Sequence, residues 1–383
     1  MDVGAHCAAM EAIDAPPEPR VSPLELFFDL VFVFGFTQIT GTITEGPTAA
    51  NLGRGALIFL VLWWAWGSYA WLTNAVPMSA KLARVVLCAS AAMLVTALAV
   101  PTAWEDGGVA FALGFLLVMV LHTVLFAVAG ENPETTRAAI LRLVPTNIGA
   151  ALLLVVAGMV EGTARPVLWV AAVAISYAGP YLTGVAGFGV HPAHLAERHG
   201  LIVIIALGES VVAIGSAGDI SVDWGLAGTA LIIMGLLVGL WWVYFDHEAE
   251  EDEAALTAAE GVDQARMARD VYSYLHVPLV LGVVFAAVGI HEALLHRREP
   301  LDPVFAAAFA GGVALYLGAL AGIRLRRGSR PGTPCLVALV VALAMIPLGR
   351  EIEAVASAAV LAAAVLALAF AERPRSGVLE SSS

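Results

Sequence analysis

Apolar runs of about twenty residues follow one another along almost the whole chain, and no other feature limits its fold so tightly. They cover about 24–43, 52–74, 82–104, 109–130, 138–160, 166–187, 199–218, 224–246, 271–291, 303–324, 334–349 and 351–371. A helix needs ~20 mostly apolar residues to cross the hydrocarbon core of a bilayer. None of the runs alternates with the period of two that a barrel strand requires, which leaves helices as the spanning element. The chain is therefore predicted to be an all-α, polytopic membrane protein of about twelve transmembrane helices. Composition agrees, with 60% apolar and 13% charged residues, a balance that excludes an ordinary soluble domain. The eleventh run is short and ends at Pro347-Leu348-Gly349, which predicts a tilted, broken or re-entrant segment.

Two of the runs carry a tryptophan signature. One reads Leu62-Trp63-Trp64-Ala65-Trp66 and the other Leu240-Trp241-Trp242-Val243-Tyr244. Each follows a run that opens with an acid, Glu25 or Glu197. The acids are 172 residues apart and the tryptophans 178. A shared offset of this size predicts two parallel six-helix repeats, 22–190 and 191–372, with a pathway or cavity at their seam. The flanks, 1–21 and 373–383, are expected to be a cytoplasmic tail and a disordered tail. Consecutive indoles such as Trp63 and Trp64 face two directions on a helix, so packing and interfacial anchoring both remain open for them and for Trp241 and Trp242.

Basic residues set the orientation. With the N-terminus cytoplasmic, 14 of the 19 Lys and Arg residues fall on the inner side, which predicts both termini inside. The net charge of −13 says less, because much of it sits in the run 246–253. That run reads as a solvated inner loop, with a cation-gathering vestibule as the alternative. No basic stripe suggests a nucleic-acid partner; the expected partner is the lipid bilayer, and a homo-oligomer is left open. Cys7, Cys88 and Cys335 show no spacing for a disulfide or metal framework, and residues 1–20 lack the apolar core of a cleavable signal.

The polar groups inside the spans carry the chemistry. Ser22, Pro23 and Glu25 form a helix-start pattern, with serine as cap, proline at the first position and glutamate at the third. Asp29 lies one turn deeper on the same face, among phenylalanines. A carboxylate at the bilayer centre costs roughly 2.5–3.5 kcal/mol on insertion scales. It is expected to pair with Lys81 or Arg84, to act as a gate or ion site, or both. In the seventh span, Glu209 and Ser210 fall where Thr37 and Gln38 fall in the first. Both repeats thus place a polar pair near mid-membrane, and Asp29, Thr37, Gln38, Glu209 and Ser210 are the candidate ion or proton path. Glu209 lies 11 residues from Arg198, about 16 Å along a helix, too far for direct contact. Glu25, Lys81, Arg84, Glu197, Arg198, His199 and His276 form a candidate gate or helix-start network. His122 and His276 each read as a packed histidine or a proton relay. His191, His194 and His199 have weak metal-ligand spacing with no thiol or carboxylate to complete it, so no metal and no cofactor are expected.

The segments Pro23 to Phe34, Glu197 to Leu201, Ala206 to Ser210 and Tyr272 to His276 resemble the bacterial low temperature requirement protein A family over roughly 20–370. The resemblance implies a multi-pass protein of the bacterial inner membrane; the family name records a growth phenotype and no chemistry. A narrower likeness joins Phe27-Phe28-Asp29-Leu30-Val31-Phe32 and Thr37 to the first-helix motif of the endolysosomal and bacterial potassium channels that lack a standard selectivity filter. That motif has serine where this chain has Phe28 and commonly arginine where it has Glu25, and Leu201 stands at the aspartate position of the second repeat. What the likeness implies, a pore lined by the first helix of each repeat, is therefore confined to Asp29 and its neighbours.

These features predict a cation channel or transporter, for potassium or protons, with a path along the first and seventh helices. A small-molecule secondary transporter is a close variant. An intramembrane enzyme is the rival from another class, but His-Glu-x-x-His and Gly-x-Ser-x-Gly are both absent from the sequence, and no catalytic residue is assigned. A membrane sensor of stress is the third reading.

Overall fold

Helix starts are written locally in this chain. In the computed structural model, which describes residues 20–76, 79–129, 133–215 and 223–372, the first helix, α1 (Pro23–Glu45), opens with the expected capping box. The Ser22 hydroxyl accepts from the Glu25 amide, and the Glu25 carboxylate accepts from the Ser22 amide at 2.8 Å. Thr48 caps α2 (Ala49–Ala75) and Ser79 caps α3 (Ala80–Leu98) with the hydroxyl alone, accepting from the Asn51 and Leu82 amides. Then follow α4 (Gly108–Ala129), α5 (Pro133–Met159), α6 (Ala164–Thr183), α7 (Pro192–Gly215) and α8 (Trp224–Val243). A π-helical turn, Tyr244–Glu248, carries α8 into α9 (Ala249–Ala258). After α10 (Gly261–Ala268), a second π turn, Arg269–Leu275, leads into α11 (His276–Leu295). The chain closes with α12 (Pro303–Arg327), α13 (Thr333–Leu348) and α14 (Ala354–Ala371). Among the described residues the only β pairing is an isolated bridge, Pro300 to Glu353.

Ten helical segments among the described residues are long and apolar enough to cross a membrane. The short eleventh run is α13, whose 16 residues end at Leu348, next to Pro347. Helix α7 is not among the ten; it carries Glu197, Arg198 and Glu209 within 24 residues.

Neighbouring helices pack in chain order, as short connections favour. α1 packs on α2 and α3, α3 on α4, α4 on α5 and α5 on α6. In the second part α7 packs on α11, α11 on α12, α12 on α13, α13 on α14 and α14 on α8. The two sets meet where α1 and α2 touch α7 and α11. Small residues permit the closest crossings, because lipid supplies no hydrophobic drive between helices and contact must come from packing. A Cβ on Gly282 of α11 would lie 2.5 Å from the carbonyl oxygen of Gly312 on α12. One on Gly158 of α5 would lie 2.6 Å from the backbone of Gly108 on α4.

The acidic run 246–253 is not a solvated loop. It is helical, and Glu248 and Asp252 are buried. Their four-residue spacing puts both on one face, against Arg324 and Arg327 at the end of α12. Arg324 pairs with Glu248 and Glu372, and Arg327 with Glu248, Glu251 and Asp252. The cluster ties α9, α12 and the end of α14 together. Residues 1–19, with Cys7, and 373–383, where the tails are expected, lie outside the described residues. Cys88 and Cys335 are free thiols.

Candidate functional site

The seam between α1 and α7 is built on one buried arginine. Arg198 lies in the second turn of α7 and is 1% exposed. Its Nη1 donates to Glu25 Oε1 at 3.1 Å, and its Nη2 to Asp29 Oδ1 at 3.1 Å. Nη1 also reaches the Tyr69 carbonyl at 3.3 Å and the Thr73 hydroxyl on α2. Trp66 donates its indole N–H to Asp29 Oδ1 at 2.6 Å, and its ring lies 5.7 Å from the guanidinium carbon of Arg198. Three helices thus converge on one cation, at a depth where an unpaired charge would be expensive. Glu25 serves twice, as helix cap and as ion-pair partner.

Histidine extends the cluster. His194 Nε2 stands 3.3 Å from Glu25 Oε1, and its Nδ1 stands 3.4 Å from the Asn74 amide nitrogen. The amide can only donate, so Nδ1 is bare and Nε2 carries the hydrogen in the neutral ring. Asn74 is itself fixed by the backbone of His191, donating to its carbonyl at 2.8 Å and accepting from its amide at 2.9 Å. Two buried carboxylates thus face one guanidinium, and both Asp29 Oδ2 and Arg198 Nε are buried without a hydrogen-bond partner.

A second set of rings continues from Trp66 towards α11. His199 lies 4.9 Å from the Trp66 ring, 4.8 Å from Tyr272 and 5.2 Å from His276, centroid to centroid. Its Nδ1 donates to the Leu195 carbonyl at 2.8 Å. His276 Nδ1 donates to the Val271 carbonyl at 2.9 Å, leaving Nε2 to accept from the Tyr244 hydroxyl at 2.9 Å. Tyr244 and Tyr272 both sit on π turns. The extra residue in such a turn re-aims side chains relative to a regular helix.

Deeper along the seam, the Glu209 carboxyl lies beside the Thr37 side chain. The two residues that share a register in the two runs are thus near one another. Thr37 is exposed on the same face of α1 as Phe27 and Leu30, so this pair lies at the outer edge of the seam. Gly208, beside it in sequence, faces open space. Ser210 is buried with its hydroxyl unpartnered, and Gln38 is half-buried.

Several expectations change. Asp29 pairs with Arg198, not with Lys81 or Arg84, which are both exposed; the long-range packing of α7 on α1 supplies the cation that the nearby sequence seemed to offer. Glu197 is exposed and accepts from the Val21 amide at 3.2 Å, so Glu25 and Glu197 share a sequence register and differ in role. Trp63 and Trp64 are core residues, whereas Trp241 is 44% exposed and stacks on Phe245, and Trp242 packs against Phe370. The His194 ring faces Glu25 and Asn74 and the His199 ring the Leu195 carbonyl, and no group of three metal-ligating side chains occurs among the described residues. Trp66, Thr73 and Asn74 were not singled out as site residues. A hydroxyl and an amide at the last two positions of the apolar run 52–74 were the available signal.

The two motif-bearing helices that meet at Arg198 both fall within the residues, 20–370, that match the family described as bacterial low temperature requirement A protein (LtrA). The chain belongs to the LtrA family. LtrA membership makes it a multi-pass membrane protein of a bacterial family. The chain is also similar to an uncharacterized protein, RA0937, of Rhizobium meliloti (strain 1021). The two are 29% identical over 317 residues, which cover 78% of this chain and 76% of the relative. No solved structure matches.

Proposed function

We propose that this LtrA-family chain is a proton-coupled cation transporter of the bacterial inner membrane, with its moving seam between α1 and α7. The observation that carries the reading is the charge imbalance at Arg198: one guanidinium holds both Glu25 and Asp29, and Asp29 Oδ2 is buried without a partner. Such a cluster responds to one proton. With Asp29 ionised, Arg198 ties α7 to α1; with Asp29 neutral, the tie weakens to Glu25 alone. Proton binding would thereby alter a contact between the two halves, which is what coupling requires. The Glu209–Thr37 pair, with Gln38 and Ser210, supplies polar groups farther along the same seam. Phe28, Phe32 and Phe36 are fully buried along α1, which favours movement of the seam over a standing pore.

The helix order supports a twelve-helix, two-repeat reading. The neighbour pairs of α1, α3, α4, α5 and α6 recur for α7, α11, α12, α13 and α14. With α13 short and α7 charged, full spanning by both belongs to this proposal, as do cytoplasmic termini.

The test is flux in proteoliposomes loaded with a potassium gradient, following internal pH and potassium together. Exchange of potassium for protons is expected from wild type, with loss in Asp29→Asn and in Glu209→Gln. Wild-type flux in both variants would remove the site assignment. Potassium movement that charges the membrane with no proton exchange would replace the transporter by a channel.

A further inference from the structure

A cavity of about 70 Å³ lies among α2, α4, α5 and α6, with Ser273 of the second π turn at its wall. That is well above the ~10–15 Å³ needed by one water. Its sides are aromatic: Trp63, Trp64, Trp71, Phe126 and Phe188 all line it. The indoles are held in place by hydrogen bonds. Trp63 donates to the Ser273 carbonyl at 3.1 Å, Trp71 to the Ser273 hydroxyl at 2.8 Å, and Trp64 to Asn147 Oδ1 at 3.0 Å. Walls fixed in this way lose little freedom when something enters, so ring contacts there favour binding.

One lining group is incomplete without a guest. His122 is 3% exposed, and its ring lies beside the Ser68 carbonyl. Yet neither of its nitrogens completes a hydrogen bond. A neutral imidazole offers one donor and one acceptor, and a buried polar group left without partners marks a missing one. It packs between Tyr69 and Phe126 at 5.6 and 5.4 Å.

Charge selects the guest. Among the described lining residues there is no Asp or Glu, and Arg269 is the charged one. Arg269 and Arg326 share the single carboxylate of Asp270, which leaves one net positive charge at this end. An indole-walled pocket lined by a carboxylate would suit a quaternary ammonium; in this one the lining charge is a guanidinium, and Asp270 is not among the lining residues.

We propose that the pocket binds a small aromatic carboxylate of a single ring, its ring against the indoles and its carboxylate served by His122 and the positive charge of Arg269. The binding claim does not rest on proton translocation.

Benzoate is the probe. It is titrated against the purified full chain in detergent, with no ion gradient, and followed by calorimetry and by quenching of tryptophan fluorescence. Two variants locate the site. Gly67 lines the pocket, and a Cβ built there meets nothing within 4 Å, so Gly67→Leu fills the space without a clash at its first carbon. His122→Phe keeps the ring and removes the nitrogens. Saturable one-site benzoate binding is expected, weakened at least tenfold by Gly67→Leu and several-fold by His122→Phe, with benzyltrimethylammonium not binding. Should Gly67→Leu fail to fold, His122→Phe decides alone. Absent or non-saturable benzoate binding, unchanged affinity in the folded variants, or tighter binding of benzyltrimethylammonium would each overturn the proposal. Because no gradient is present, these outcomes are distinct from a failure of the flux assay.

Discussion

Removing Arg198 is the sharpest test of how α1 and α7 are held together. Arg198→Met keeps most of the side chain's length and deletes its charge. The deletion removes its hydrogen bonds to Glu25, Asp29, Tyr69 and Thr73, spread over α1 and α2. It also leaves two carboxylates buried with no cation in reach. Glu25 retains the Ser22 cap and His194, but Asp29 retains only the Trp66 indole. Breaking a buried ion pair by removing one partner costs about 3–5 kcal/mol, mostly through the stranded charge. The loss expected for Arg198→Met is in that range. Adding Asp29→Asn should then recover part of it, about 1–2 kcal/mol, since the stranded charge goes with it and residues in one network do not add. Reversible unfolding in mixed micelles of neutral detergent and dodecyl sulfate, followed by tryptophan fluorescence, measures both values. A loss below about 1 kcal/mol, or an Asp29→Asn effect that simply adds to the first, would refute the ion-pair argument.

Two further outcomes follow from packing. Gly282→Leu would drive a side chain into the backbone of α12, 2.5 Å away at the Cβ alone, so no monodisperse protein is expected on size exclusion; a normal peak would show that the α11–α12 crossing is wider than described. Arg327→Met would release Glu251 and strand Asp252, so cleavage within α9 by a glutamate-specific protease should accelerate by on the order of tenfold, as expected when a docked element opens locally. An unchanged cleavage rate would mean that the arginine does not hold α9 down.

While the stretch that forms α9 and α10 read as a loop, the sequence alone determined most of the long helices, their approximate limits and the membrane setting. These are local properties. A run of twenty apolar residues cannot satisfy its backbone in lipid except as a helix, and Ser22 with Glu25 fixes the start of α1 wherever that helix later packs.

Tertiary structure decided which charges meet. Lys81 and Arg84 looked like the natural partners of Asp29, and Arg198, 169 residues away, holds it instead. Glu248 and Asp252 looked solvated until Arg324 and Arg327 covered them. Trp66, Asn74 and His122 stand in apolar runs that fix a helix and leave open which of its faces turns inward. Helix formation is settled by each segment against its solvent, whereas the pairing of buried charges depends on which helix faces lie opposite one another, and that is known only once all of them have packed.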